Sequence, residues 1–351
     1  MFRSSKLPLF VAVACVAAVV VAADPVCTAL ATAQTLLWDD FQNGFSVNTT
    51  GAKWFYFSDG SYAGDDGVVS TSPQGLTVAA SGTNQSTGEP AFTRTLAQED
   101  ENGGLPGDLD HVKWLAYMNH TASSGYPGFD AVPGTELGCE TWIGGQTFGT
   151  HAQPFGPAVL DPDDDLRLAS VAMNVIDFET YMVFDFWLTN EHIYAYYERL
   201  PFGREQLGNY ASFSYAIPVA RRHPGDVDHL RISYDKGAGK VRWFIDDEEV
   251  FHVDRLGYRI GRLNMTIDHG GVETLVSPRQ LDCGMGMFTL LDGSKPSNIG
   301  LVRLSSANHF YFDPLFGPPL PESFVDNQSR YSSRLFGQGA EIQVERYVVR
   351  R

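Results

Sequence analysis

Residues 181–200, YMVFDFWLTNEHIYAYYERL, restrict the possible folds of this chain more than any other stretch. Apolar and polar side chains alternate on both sides of Thr189 and Asn190, residue types that are common in turns. We predict a β-hairpin that has these two residues as its loop, so that Leu188 pairs with Glu191. Because strand side chains alternate between two faces, this hairpin has two distinct surfaces.

The two surfaces of the predicted hairpin differ in chemistry. The first is apolar and is expected to face the core: Met182, Phe184, Phe186, Leu188, Ile193, Ala195 and Tyr197. The second is aromatic and acidic: Tyr181, Asp185, Trp187, His192, Tyr194, Tyr196 and Glu198. We interpret the second surface as a ligand site. The alternative is an amphipathic strand pair whose tyrosines shield the edge of a sheet.

Strand patterns dominate the rest of the chain and are separated by regular turn signals, whereas helical periodicity is nearly absent. This organisation predicts an all-β fold, an antiparallel β-sandwich of the jelly-roll kind. Residues 96–120 break the pattern, because their apolar residues recur without strict alternation. We interpret them as part of a loop-rich insertion near residues 96–135. No internal repeat or linker is found, so residues 24–351 are predicted to form a single domain.

The N-terminus has the pattern of a secretory signal peptide. Arg3 and Lys6 precede an apolar run from Leu7 to Ala23, and small residues follow. We predict a signal peptide over residues 1–23; cleavage after Ala33 and an uncleaved anchor are the alternatives. No later run approaches the roughly 20 apolar residues of a membrane span. A secreted protein without a membrane partner after processing is expected.

Glycosylation and disulfide formation are expected in the secretory pathway. Five sequons of the form N-x-[ST] predict surface asparagines that carry glycans: Asn48, Asn84, Asn119, Asn264 and Asn327. Of four cysteines, Cys15 leaves with the signal peptide, and Cys27 remains only if cleavage follows Ala23. We predict a disulfide between Cys139 and Cys283. The alternative is two buried free thiols.

Composition and missing motifs exclude several classes of function. The net charge of −17 argues against nucleic acid and anionic membranes as partners. No cysteine–histidine spacing indicates zinc, and no phosphate loop, dinucleotide fingerprint or nucleophile elbow occurs. We therefore expect no cofactor and no metal. The acidic loop Asp161–Asp165 is compatible with calcium, but a solvated turn is the preferred interpretation.

Further polar residues extend the candidate site. Asp177 and Glu179 have the same parity as Asp185, so we expect them on the hairpin's polar surface. Clustered carboxylates raise one another's pKa, which produces a general acid near neutral pH. The alternative is that Arg167 or Arg279 neutralises these carboxylates in structural ion pairs.

Two segments later in the chain add candidates. His269, in the loop Asp268–Gly271, is a candidate for proton transfer or hydrogen bonding, although a lone histidine in a turn is often structural. Arg279 could polarise a ligand oxygen. Met285 offers a soft apolar lining, and its alternative role is that of a core residue.

Several motifs resemble known families. The strand pair from Val241 to Gly257, with its DDEE turn, resembles the one that closes concanavalin-A-like lectins and laminarinase-type glucanases. In such glucanases an E-x-D-x-E strand carries the nucleophile and the acid; here the stretch is VIDFE, with Val175 at the nucleophile's position. The motifs DDDLRLAS, YERLPF, DHGG and RQLDCGMGMFTLLDG are similar to a family of uncharacterised bacterial and fungal proteins, a domain of unknown function.

The signal peptide, length and strand pattern also resemble secreted fungal enzymes that join a tropolone quinone methide to a humulene-type terpene by a hetero-Diels–Alder reaction. That resemblance implies a cofactor-free enzyme acting on an apolar metabolite, such as a terpenoid or polyketide. The residues that we assign to catalysis are Glu198, Asp185, His269 and Arg279. Those that we assign to substrate binding are Tyr181, Trp187, Tyr194, Tyr196, Glu179 and Met285. The alternatives are a glycan-binding lectin-like protein, a divergent glycoside hydrolase or a structural wall protein.

Overall fold

A computed structural model describes residues 34–294, 298–307, 310–311 and 322–351. The predicted signal peptide and Cys27 lie outside the described residues. Residues from Ala33 to Arg351 form one compact unit. The strands are β1 (Thr35–Asp39), β2 (Trp54–Tyr56), β3 (Ser58–Asp59), β4 (Tyr62–Ala63), β5 (Gly67–Ser72), β6 (Gly75–Ala80), β7 (Gly82–Thr83), β8 (Pro90–Ala91), β9 (Val112–Met118), β10 (Phe129–Asp130), β11 (Glu136–Phe148), β12 (Ala169–Asp177), β13 (Met182–Leu188), β14 (His192–Arg199), β15 (Phe213–Arg221), β16 (Val227–Asp235), β17 (Lys240–Ile245), β18 (Glu248–Val253), β19 (Met265–Asp268), β20 (Gln280–Thr289), β21 (Ile299–Val302), β22 (Ser323–Asp326) and β23 (Gly339–Arg350).

Within the described residues, the helices are only three to five residues long. The α-helices are α1 (Arg204–Leu207) and α2 (Tyr331–Arg334), and the 3₁₀ helices are Gly107–His111, Thr150–Ala152, Gly156–Ala158 and Pro201–Gly203.

Two large antiparallel sheets contain most of the strands. In the first sheet the order is β18-β17-β16-β11-β23-β6-β5, with β1 also paired to β23. In the second sheet it is β19-β15-β14-β13-β12-β20-β9-β2, with β10 also paired to β20. The predicted all-β antiparallel sandwich is confirmed.

The main core lies between the two sheets. Large buried side chains of both sheets meet there, including Trp243 of the first sheet and Phe184 of the second, whose ring centroids are 6.0 Å apart. The predicted disulfide is confirmed: Cys139 of β11 and Cys283 of β20 are bonded, with Cα atoms 5.8 Å apart. This bond links one sheet to the other through the core.

The β13–β14 hairpin forms, but its loop is longer than predicted. Leu188 pairs with Ile193, not with Glu191, and three residues, Thr189–Glu191, lie between the two strands. Side chains hold this longer loop: the Thr189 hydroxyl accepts a hydrogen bond from the His192 amide at 3.0 Å, and Asn190 Oδ1 accepts one from the Thr147 amide at 2.9 Å. The pairing shifts by two residues, an even number, so the predicted division of the hairpin into two faces is confirmed.

The predicted extension of this face into β12 is wrong. Asp177 pairs with Met182, which points into the main core, and the residues between them form a turn. Tyr181 lies in this turn with a φ of 60°, so neither it nor Glu179 follows the alternation of β13. Counting parity fails here because alternation does not continue through a turn.

The interpretation of residues 96–135 as loop needs one correction. Val112–Met118 forms β9, which lies between β20 and β2 in the second sheet, and all seven of its residues are buried. A strand covered on both faces shows no polar alternation, which explains why the pattern missed it. Leu96, Leu105 and Leu109 pack onto the face of the second sheet that points away from the first. We call this the outer face.

Candidate functional site

The polar surface of the hairpin lies on the outer face. Trp187 and Tyr196 pack there in a second apolar cluster with Leu109, Tyr117 and Phe288. Both are almost completely buried, at 3% and 1% exposure; their rings contact each other, and that of Trp187 also contacts Phe288. Trp187 and Tyr196 therefore belong to the buried layer of the outer face, and their rings are not free to stack on a ligand.

Four titratable side chains meet on this face, and we call them the acid–histidine cluster: Asp108, His111, Glu198 and Asp292. Glu198 comes from β14, Asp108 and His111 come from the 3₁₀ turn Gly107–His111, and Asp292 follows β20. Asp108, His111 and Glu198 are partly exposed, whereas Asp292 is buried. The cluster is thus a buried carboxylate with three partly exposed neighbours, and one carboxyl oxygen of Asp108, Oδ1, is itself buried.

Hydrogen bonds fix the cluster in position. Asp292 accepts hydrogen bonds from His111 Nε2 through Oδ1 and from the Tyr311 hydroxyl through Oδ2. The Ser214 hydroxyl donates to Glu198 Oε1. His111 and Asp292 are therefore held by each other and by Tyr311, whereas Glu198 is held by Ser214 of β15.

Burial and neighbouring charges shift the pKa values of the two partly exposed carboxyls. Burial raises the pKa of Glu198 to about 7, although the Ser214 hydrogen bond and the charge of His111 oppose the shift. Burial also raises the pKa of Asp108 to about 7, again against the charge of His111 and with the repulsion of Asp292. Both carboxyls therefore exchange protons near neutral pH.

The His111–Asp292 pair is held in its charged form. Burial alone would lower the pKa of His111, but the charge and hydrogen bond of Asp292 raise it to about 9. Burial would raise the pKa of Asp292, yet the charge and hydrogen bond of His111 and the Tyr311 hydroxyl keep it below its ordinary value. At neutral pH the site contains an imidazolium, a carboxylate and two titrating carboxyls.

His269 lies close enough to interact with both members of this pair. Its Nδ1 donates a hydrogen bond to the Phe310 carbonyl at 3.0 Å, and the side chain is buried. Burial lowers the pKa of His269 to about 4. The imidazole is therefore neutral at physiological pH, with Nε2 as its acceptor atom.

Asp185 occupies a different environment from Glu198. It is 2% exposed and accepts hydrogen bonds from Asn174 Nδ2 at 2.8 Å, the Val175 amide at 2.9 Å and Trp187 Nε1 at 3.2 Å. Burial raises its pKa to about 8. Asp185 is thus a buried side chain that links neighbouring strands by hydrogen bonds, and its catalytic role stays a prediction.

A pocket of about 180 Å³ opens beside the cluster. Its apolar wall consists of Tyr194, Ala216, Pro218, Leu263, Met265 and Leu290. One lining residue, Thr266, connects the pocket to Glu198: it donates to the Ser214 carbonyl at 3.2 Å, and the Ser214 hydroxyl donates to Glu198. Of the predicted binding residues, Tyr194 lines this pocket, with its hydroxyl bonded to Asp164 Oδ1 at 2.9 Å.

Three predicted site residues lie elsewhere. Arg279 and Glu179 form an ion pair at 2.6 Å, with more than half of the arginine side chain exposed, so the alternative of a structural ion pair applies to them. Met285 is fully buried between the two sheets, on the opposite side of β20 from the site, because it alternates with the outward-facing Gly284 and Gly286. Arg167 pairs with Asp165 at 2.7 Å.

Sequence reasoning missed Asp108, His111 and Asp292. Asp292 lies in the quoted motif LLDG, and the other two lie in DLDH, within the segment interpreted as an insertion. A polar tetrapeptide directly before the apolar run of β9 was the available signal. Nothing local to either segment indicates that they meet Glu198.

The sequons and the acidic loop remain predictions. Asn48, Asn119 and Asn327 are exposed, whereas Asn84 and Asn264 are partly buried; glycan attachment at all five stays a prediction. Within the described residues, no group of three or more histidine, cysteine or acidic side chains has an arrangement that could hold a metal ion. No helix in that same part of the chain is both long and apolar enough to cross a membrane.

Two solved structures that resemble this chain over most of its length are a carrageenase and a glucanase. A κ-carrageenase from Pseudoalteromonas carrageenovora, in complex with a carrageenan oligosaccharide, is 13% identical with a TM-score of 0.39, covering 94% of this chain and 99% of that one. A prokaryotic β-1,3-1,4-glucanase (lichenase) from a mouse hindgut metagenome is 7% identical with a TM-score of 0.37, covering 91% and 98%. These TM-scores are too low to transfer a function.

Sequence relatives are uncharacterised. A protein of Acanthamoeba polyphaga mimivirus is 35% identical over 289 residues, which are 67% of this chain and 62% of that protein. The chain therefore spans less than two thirds of this relative's length. The model of a family of unknown function, DUF6081, matches residues 38–351, which include both sheets and the whole acid–histidine cluster. The chain belongs to this family.

Proposed function

We propose that the protein is a glycoside hydrolase whose catalytic groups are Glu198 and Asp108. The observation that carries the proposal is the presence in one cluster of two partly exposed carboxyls, Glu198 and Asp108, with pKa values of about 7. Hydrolysis of a glycosidic bond needs one carboxylic acid that keeps its proton and one carboxylate. Two carboxyls that titrate in the same range supply both forms near neutral pH.

The positions of Glu198 and Asp108 relative to the pocket support different roles for the two carboxyls. Glu198 is linked through Ser214 and Thr266 to the wall of the pocket, so it is the acid beside the leaving group. It gives its proton to the glycosidic oxygen as the bond to the anomeric carbon breaks. Asp108 in its ionised form assists the addition of water to that carbon, and the proton released by the water restores the acid. One water is consumed, and a sugar and an alcohol are formed.

The His111–Asp292 pair acts by positioning and charge. The imidazolium lowers the pKa values of both Glu198 and Asp108, which burial would otherwise raise further. Asp292 in turn keeps His111 charged. The pair therefore keeps the two reacting carboxyls within the neutral range, where both protonation states are populated.

The test is a hydrolysis assay on the purified full chain with a panel of aryl glycosides and oligosaccharides. Glu198→Gln and Asp108→Asn should each reduce kcat at least about 100-fold, while circular dichroism and thermal unfolding stay unchanged. Glu179→Gln is the matched control, because this glutamate is bonded to Arg279 outside the cluster. Wild-type rates in both cluster variants, or a folded wild type that hydrolyses no glycoside, would contradict the proposal.

The cycloaddition hypothesis finds no support in this site. Of the residues assigned to an apolar partner and a polarised oxygen, Met285 lies in the main core and Arg279 in an exposed ion pair. Trp187 and Tyr196 are buried beneath other side chains. The alternative of a carbohydrate-directed function is the one that the acid–histidine cluster favours.

Secretion remains part of the proposal. The apolar run after Arg3 and the five sequons support it, and a disulfide that crosses the core is typical of an oxidising compartment. Expression of the full chain in a eukaryotic host should deliver a processed protein to the medium, with a mass that falls after glycosidase treatment. Retention in the cytosol with an intact N-terminus would contradict it.

A further inference from the structure

The pocket beside Glu198 has a mostly apolar surface, although it is also lined by Asp164, Asp165, Arg167, Asn264, Thr266 and Ser294. Its wall is apolar over Ala216, Pro218, Met265 and Leu290. Leu263 also lines it and is 77% exposed, so an apolar side chain stands at the mouth. Exposed apolar surface at the rim of a concave site marks a place where an apolar ligand binds.

The size of the pocket restricts the ligand further. Pockets that enclose a drug-sized molecule have volumes of roughly 300–1,000 Å³. A volume of about 180 Å³ suits one ring or a short alkyl chain. An oligosaccharide would instead need a long groove lined with hydrogen-bonding groups.

Three acids lie in or near the pocket: Asp165 pairs with Arg167, Asp164 accepts a hydrogen bond from Tyr194, and Glu322 is kept neutral. Glu322 bonds to Ser294, which lines the pocket and donates to the Thr266 carbonyl at 2.7 Å. Burial, together with the charge of Asp292, raises the pKa of Glu322 to about 9. An uncharged carboxylic acid beside an apolar wall is compatible with an apolar group in the pocket.

We propose that this pocket holds the apolar leaving group of a small glycoside, so that the substrate is an alkyl or aryl glycoside. The inference rests on the proposed hydrolytic function and names the substrate class of the same site. Glu198 protonates the oxygen that joins the sugar to this group, and the group then leaves as an alcohol or phenol. The acid and the pocket are neighbours, as this step requires.

The kinetic test compares a methyl glycoside with the n-butyl glycoside of the same sugar, chosen as the best sugar in the hydrolysis panel. The two alcohols have nearly equal leaving-group chemistry, so a difference in KM reports on the pocket. The butyl glycoside should have a KM about tenfold lower, because its extra methylenes leave water. Ala216→Phe places a ring in the pocket and should remove this preference.

Controls separate this inference from the proposed function. Leu263→Ser should weaken the butyl preference, whereas Leu275→Ser, at an exposed leucine outside the pocket, should not.

Binding of 4-methylumbelliferone alone is measured by fluorescence titration and needs no hydrolysis. This binding should be lost in Ala216→Phe. Equal KM values for the two glycosides with intact hydrolysis would overturn the substrate class alone. Binding of 4-methylumbelliferone without hydrolysis of any glycoside would instead overturn the proposed function.

Discussion

His111 donates a hydrogen bond from Nε2 to Oδ1 of the buried Asp292, and the two side chains form a charged pair at the centre of the cluster. The pKa of His111 rises to about 9 in this pair, and that of Asp292 falls. The charge of each partner therefore depends on the other. This coupling makes the pair the first target for mutation.

Removing one partner should cost more stability than removing both. His111→Gln should lower the free energy of unfolding at pH 6 by about 3 kcal/mol, because it leaves the Asp292 carboxylate buried without its cation. The double variant His111→Gln/Asp292→Asn should recover most of this loss. Urea denaturation of the two single variants and the double variant measures the coupling.

The stability that this pair provides should depend on pH. His111 has a raised pKa when folded, so its contribution is complete below pH 6.5 and is lost as the pH rises toward about 9. Asp292 has a lowered pKa, so its contribution is lost as the pH falls below 3.8. Equal destabilisation of His111→Gln at pH 6 and pH 9 would contradict this account. His223→Gln, at an exposed histidine, is the control.

Ser214 should set the alkaline limit of activity. Its hydroxyl donates to Glu198 and lowers the pKa of that carboxyl, so Ser214→Ala should raise the pKa of Glu198 above about 7. The acid then keeps its proton to higher pH, and the alkaline limb of the kcat profile moves upward. Ser233→Ala is the matched control, since this serine donates to Glu136 at 2.8 Å on the other sheet. An unmoved alkaline limb in Ser214→Ala would exclude Glu198 as the acid.

Asp185 should make the wild type less stable as the pH rises. Its pKa is about 8 in the folded protein, against an ordinary 3.8, so its contribution is complete below pH 3.8 and is lost up to about pH 8. Between pH 5 and pH 8, ionisation of Asp185 should lower the unfolding free energy of the wild type by about 4 kcal/mol, and Asp185→Asn should lack this loss. Chemical denaturation at both pH values tests this, with the exposed Asp59→Asn as control.

The disulfide should stabilise the sandwich strongly. It joins residues that are 144 positions apart, and the chain-entropy relation for a loop of this length gives about 5 kcal/mol. Cys139→Ala/Cys283→Ala should therefore lower the denaturation midpoint sharply. Wild type that is denatured in the presence of a reductant should show a similar loss, and wild-type stability of the double variant would contradict the prediction.

Gly284 should not tolerate a side chain. A Cβ there would lie 2.5 Å from the Tyr117 ring and 2.8 Å from the Ala116 carbonyl oxygen. Gly284→Ala should destabilise the protein by about 2 kcal/mol through overpacking. Gly138→Ala is the matched control, because it is also a buried strand glycine but a Cβ there finds no atom closer than 3.5 Å. Thermal unfolding should show a lower Tm for the first variant only.

Local patterns were sufficient for some of these features. The alternation of β13 and β14 predicted which side chains face the core, because side-chain direction in a strand depends only on the neighbouring residues. An error of two residues in the pairing did not change the faces. The turn after Asp177 did change them, because a turn ends the alternation and its conformation depends on contacts such as those of Asp177 with Thr180 and Gln280.

By itself, the sequence determined the class of fold and the two surfaces of the hairpin, since both follow from periodicity, and it favoured the disulfide partners, since few cysteines are present. The tertiary structure decided which acids meet. Asp108 lies 90 positions before Glu198, and Asp292 lies 94 positions after it, so only strand pairing in the second sheet and the segment before β9 bring them together. Their pKa values follow from that shared burial, which no local segment contains.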